Sequence, residues 1–77
     1  MVLAHLHRID PNANMARFYC IDLAPTLFGE ITVLRRWGRI GTYGRTSIET
    51  WPSEGDAETA ASRTLRKKSR RGYRQAE

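Results

Sequence analysis

Three glycines three residues apart, Gly38, Gly41 and Gly44, separate two runs of alternating character in this chain of 77 residues. Glycine tolerates positive φ and close backbone approach, so the chain can bend sharply here and come near a ligand. Before the glycines, residues 28–37 put Ile31 and Val33 on one side and Thr32 and Leu34 on the other. After them, residues 43–51 alternate Thr46, Ile48 and Thr50 against Ser47, Glu49 and Trp51. Both runs have the period of a strand, so the chain goes out, bends and returns. Within the bend Trp37 and Tyr43 offer flat stacking faces, while Arg39 and Arg45 offer forked donors suited to phosphate. Burial does not call for such a mixture. A bent, charged and partly exposed working surface does.

The remaining elements follow from the same rules. Residues 2–9 alternate Leu3, His5, His7 and Ile9 against Val2, Ala4, Leu6 and Arg8, the pattern of a half-exposed strand. His5 and His7 project together, but no further ligand stands at a recognisable metal spacing. Residues 10–14 (Asp-Pro-Asn-Ala-Asn) are a turn by composition. Residues 17–23 form a strand antiparallel to the first, with Tyr19, Ile21 and Leu23 on one face and Phe18 and Cys20 on the other. Ala24-Pro25-Thr26 interrupts it. At Ser53 the signal changes to helix, with a capping residue followed by Glu54, Asp56 and Glu58 where the helix dipole favours anions. Ala57, Ala61, Thr64 and Leu65 share one side of that helix. Arg63, Arg66, Lys67, Arg70 and Arg74 cluster opposite, with Arg71 at the edge and Gly72 as the stop. Two packed layers are the minimum that hides one apolar sheet face and one apolar helix side. The expected fold is a single α+β domain: a small twisted antiparallel sheet of about four strands, with one long C-terminal helix, about residues 54–71, across it. Trp51 reads as a core residue and Trp37 as exposed.

Formal charge is +5 and the pI about 10.1, with thirteen Lys and Arg against eight acids. Seven of the basic residues fall between Arg63 and Arg74 with no acid among them, so i,i+4 pairing cannot relieve their repulsion. Polyanions are the expected partners. A lone Cys20 excludes an intramolecular disulfide framework and suits a reducing compartment. No apolar run approaches the roughly 20 residues that span a bilayer, and no signal peptide is visible, so a cytoplasmic location with no membrane partner is expected. No carboxylate pair, nucleophile–base constellation or Walker-type phosphate loop is present, so neither catalysis nor a cofactor is expected of these residues.

The run Trp37-Gly38-Arg39-Ile40-Gly41-Thr42, with Gly44 beyond it, the hydrophobic run before it, the Ala-containing helix after Ser53, and the closing Lys68 and Gly72-Tyr73, resembles the WGR domain. This small module occurs beside the catalytic domain of poly(ADP-ribose) polymerases and as short free-standing bacterial proteins. Arg45 departs from the pattern, since many members carry an uncharged polar residue there. The resemblance implies that Trp37 stacks on a terminal sugar or base at a DNA end, with Arg39 beside it. Joined to the charge pattern, it gives a candidate nucleic-acid-binding set: Arg36, Trp37, Gly38, Arg39, Tyr43, Arg45, Arg66, Lys67, Arg70 and Arg71. Contact with backbone, sugar and ends is expected, hence little base specificity, with DNA ahead of RNA. The rival expectation is a regulatory module whose basic helix docks an acidic protein partner.

Overall fold

Alternation in the first two thirds of the chain produces a meander of antiparallel strands. The computed structural model describes residues 2–76. Its elements are β1 (Val2–Asp10), β2 (Met15–Pro25), β3 (Ile31–Arg39), β4 (Arg45–Trp51), helix α1 (Glu54–Arg70) and a short β5 (Arg74–Gln75). The sheet runs β4-β3-β2-β1-β5 with every neighbouring pair antiparallel. Five strands replace the four expected. The fifth is two residues long and forms because the chain leaving α1 falls along the free edge of β1, pairing Leu6 with Gln75 and His7 with Arg74.

The turns explain where the strands stop. Asp10 Oδ1 accepts from the Asn12 and Ala13 amides at 3.1 and 3.4 Å, and Asn14 takes left-handed φ, closing the β1–β2 connection. Between β2 and β3, Thr26 Oγ1 accepts from the amides of Phe28 and Glu30, both at 3.2 Å. That turn consumes residues 26–30, so β3 begins at Ile31 rather than at Phe28 as the pattern suggested. Phe28 and Leu27 are left at the tip, 87% and 98% exposed.

One face of the sheet is covered by α1. Ala4 and Leu6 of β1, Tyr19, Ile21 and Leu23 of β2, and Val33 of β3 meet Ala57, Ala61 and Tyr73, with Ile31, Trp37, Trp51 and Leu65 packed at the margins. Ala57 and Ala61 are fully buried, and side chains this small let the helix lie close to the strands. Ser53 caps the helix by accepting from the Asp56 amide at 3.2 Å. At the other end Gly72 has φ +93°, its amide donates to Ser69 O at 3.1 Å, and the Tyr73 amide donates to Lys68 O at 3.0 Å. This Schellman ending turns the chain back so that Tyr73 enters the core.

The opposite face has no covering layer. There Ile48 and Val2 are each 66% exposed, yet Phe18 is 6% exposed. Phe18 is hidden because Gly38 lies opposite it in the β2–β3 register and residues 40–44 fold over it. Gly38 has no left-handed φ and does not supply the bend assigned to it from sequence. It is needed because a Cβ there would stand 2.8 Å from Gly44 Cα. Gly44 carries φ +79°, and a Cβ on it would collide with Trp37 O and lie 2.8 Å from Phe18 Cζ. Gly41 also has positive φ, +94°, but faces open space. Gly41→Ala should therefore cost only the backbone strain of about 1–2 kcal/mol. Gly44→Ala adds displacement of backbone and ring, for a total of about 3–5 kcal/mol. Urea unfolding of the two variants checks this, and equal losses would refute it.

Candidate nucleic-acid interface

β3 continues to Arg39, so Trp37, Gly38 and Arg39 are strand residues, and the loop proper is residues 40–44. Alternation then sends neighbours to opposite faces. Trp37, Arg39 and Arg45 stand on the helix-covered face, with Trp37 directly opposite Tyr19 of β2 and Arg45 of β4. Arg36 and the exposed Tyr43 belong to the open face, where the Arg36 guanidinium lies 5.3 Å from the Tyr43 ring and 5.4 Å from that of Phe18. The residues grouped around the motif are thus divided between two surfaces.

Trp37 is neither a loop-tip residue nor a fully buried one. Its ring stacks on Tyr19, with centroids 6.2 Å apart and planes 22° from parallel, and part of the residue remains accessible. The exposed reading of Trp37 is corrected accordingly: the residue is half core, half surface. Trp51 is likewise packed against the core margin, and its buried Nε1 has no hydrogen-bond partner among the described residues.

Around Trp37 the sheet sets a group of arginines. Arg17 and Arg39 are opposite one another in the β2–β3 register, one step along the same face from the Tyr19–Trp37 pair. Arg45 lies across on β4. Arg39 makes one long contact, Nη1 donating to Asn14 O at 3.5 Å. Arg35, on the other side of Trp37, is paired with Glu49 at 3.7 Å. Among the described residues Arg17, Arg39 and Arg45 have no ion-pair partner. Arg17 was missed in the sequence although it stands two residues before Tyr19 and so shares its face; only the register places it beside Arg39.

The helix adds a second basic surface. Arg63, Arg66, Lys67 and Arg70 are exposed and line one shallow depression, with exposed Arg71 at the C-cap. Arg74, expected with them, lies in β5 instead, because the helix ends before it. Lys68 faces inward. Its Nζ is 4.6 Å from the Tyr19 ring centre and 5.1 Å from that of Tyr73. Burial, and then the charges of Arg71 and Arg17, push its pKa below the ordinary 10.5. Burial likewise raises the Tyr19 hydroxyl above its ordinary 10.0, against the opposing pull of Arg35. The contact of Lys68 with Tyr19, on which Trp37 stacks, places the helix C-terminus beside the Trp37 face.

Among the described residues no group of three or more His, Cys, Asp or Glu could hold a metal; His5 and His7 are only an edge-on ring pair at 5.0 Å. Among the described residues no helix is long and apolar enough to cross a membrane.

A small α+β module with a tryptophan half-embedded at one end and arginines around it is the class these features define. The WGR domain family model matches residues 2–77, and the chain belongs to that family, one of nucleic-acid-binding modules. It is also 46% identical over 70 residues to the uncharacterized protein y4dW of Sinorhizobium fredii (strain NBRC 101917 / NGR234), a match covering 91% of this chain. The chain spans about a third of that relative's length, 34%. No solved structure matches it.

The position of Lys68 yields a direct check. Its charge is disfavoured by burial and by neighbouring cations, so a phosphate beside Arg17 and Arg71 should reverse the local field and raise its pKa. The Lys68 side-chain carbon signal should titrate below 10.5 in the free protein and at higher pH when nucleic acid is bound. In the window between those two values binding takes up a proton, and affinity falls as pH rises. A pKa unmoved by bound nucleic acid would separate the Lys68 corner from the interface.

Proposed function

We propose that the domain binds the ends of nucleic acid, DNA in preference to RNA, by contact with backbone and terminal sugar or base rather than by reading sequence, and that it works by binding and not by catalysis. The observation that carries this is the partly accessible Trp37 set among Arg17, Arg39 and Arg45, none of them ion-paired among the described residues. A strand end would stack on or against the indole while its phosphates lie on the guanidinium groups. Arg66, Lys67, Arg70 and Arg71, on the helix and its cap, would hold phosphates further along the backbone.

These contacts imply different signatures. Replacing Arg66, Lys67 and Arg70 by Gln should weaken binding equally for unrelated sequences and leave the melting temperature nearly unchanged. It should also flatten log K against log salt by about 0.9 for each duplex phosphate that is no longer neutralised. Trp37→Ala should cost about 1–3 kcal/mol of binding with little change of slope. Because Trp37 is stacked on Tyr19, it should also lower stability, whereas Trp37→Phe keeps most of the packing. Fluorescence anisotropy across a salt series measures the binding effects on a short duplex, and thermal melting of each variant measures the stability effects. A wild-type affinity without salt dependence would overturn the proposal. An unchanged slope in the helix variant would turn that face over to solvent or an acidic protein.

A further inference from the structure

On the open face of the sheet, away from Trp37, lies a groove of about 360 Å³. Cys20, Leu34, His5 and the acid Asp22 line it together with Arg36, Tyr43 and Thr46, and the register sets Arg36 between Cys20 and Thr46. Two observations say what chemistry it suits. First, Arg36 lies close to two aromatic rings and has no ion-pair partner among the described residues. A guanidinium held through its ring contacts keeps in-plane N–H groups for an anion. Second, Tyr43 is 77% exposed, so ring surface remains free beside the groove's apolar lining. A bare inorganic anion would use Arg36 alone. The ring and the apolar lining call for a flat, partly apolar group attached to the anion, and the volume lies near the lower end of the range for small-molecule sites.

We propose that this groove receives one unpaired nucleotide at the end of a strand, its phosphate on Arg36 and its base against Tyr43 beside Leu34 and Cys20. This rests on the nucleic-acid reading of the Trp37 face. Loop residues 40–44 are where the two faces meet, so a short overhang from a duplex held at Trp37 reaches the groove by passing over that loop. The rigid fold of the loop onto Phe18, through Gly38 and Gly44, holds Tyr43 in place beside Arg36.

Each face carries its own reporter. Both tryptophans lie on the helix-covered side, and Cys20, the single thiol in the chain, lies in the groove. Affinity and iodoacetamide alkylation of Cys20 are measured with a blunt duplex and with the same duplex bearing two unpaired nucleotides on either strand. The overhang should bind about tenfold tighter, the scale of one stacked base, and it alone should slow alkylation several-fold. Arg36→Gln and Tyr43→Ala should each bring the overhang-to-blunt affinity ratio toward one, whatever they do to blunt affinity. A wild-type ratio near one, equal protection by both duplexes, or no protection at saturation overturns the groove while leaving the Trp37 reading intact. If neither duplex binds, the Trp37 reading fails, and a 5′-phosphorylated dinucleotide alone decides the groove. Protection of Cys20 by it upholds the site, and absence of protection ends it.

Discussion

The backbone-to-backbone approach of Gly44 on Gly38 sets the geometry of the whole motif end. It brings residues 40–44 over Phe18, which gives an otherwise uncovered sheet face one buried aromatic ring. It also leaves β3 straight through Arg39, so that alternation decides where each motif side chain goes. Trp37 is sent to the covered face and Arg36 to the open one. Thr42 secures the loop's first turn, with its amide and Oγ1 donating to Arg39 O at 3.0 and 2.8 Å. The loop is therefore packed against the sheet rather than extended as an arm. It is a folded edge between two differently equipped surfaces.

Tyr19 is the corresponding centre on the covered face. Trp37 stacks on it, the Tyr73 ring meets it edge-on at 6.4 Å, and Lys68 caps it at 4.6 Å. These three neighbours come from β3, from the residue that follows the helix stop, and from α1, so one ring joins the strand, helix and tail segments of the domain. The Schellman ending at Gly72 makes that possible by redirecting the chain inward at Tyr73. Cation–π contact offsets part of what Lys68 loses in hydration, while the position stays electrostatically uncomfortable because Arg71 and Arg17 are near.

The strands and helix were legible because their signals are local. Period-two alternation placed Ile21 with Leu23 and Val33 with Ile31, and Ser53, Ala57, Ala61 and Gly72 marked the ends and inner side of α1. What escaped was non-local. Gly72 marks Arg74 as past the helix, but nothing near Arg74 points to a strand on the edge of β1, since pairing with His7 depends on where the chain emerges. Phe28 fits a strand pattern until Thr26 is known to bind both the Phe28 and Glu30 amides. Trp37 looked exposed because glycines suggested a bend at Gly38, whereas the glycine is required by contact with Gly44. The candidate residues were chosen by type, and type does not report a face. Register separated Arg36 from Trp37 and brought in Arg17.

Charge connects these corners into one physical account. Strands β2, β3 and β4 gather Arg17, Arg39 and Arg45 around Trp37, and α1 and its cap bring Lys68 and Arg71 to the same end. Such a cluster raises the free energy of the free domain, by repulsion and by lowering the affinity of Lys68 for its proton. With a core built on two fully buried large side chains, Ile21 and Val33, the domain has little stability to spare for that repulsion. A polyanion laid across the cluster would relieve the repulsion, and one that prefers the folded arrangement would stabilise it. Relief of that repulsion is then part of what would favour a bound polyanion, and added salt relieves it too by screening the same charges.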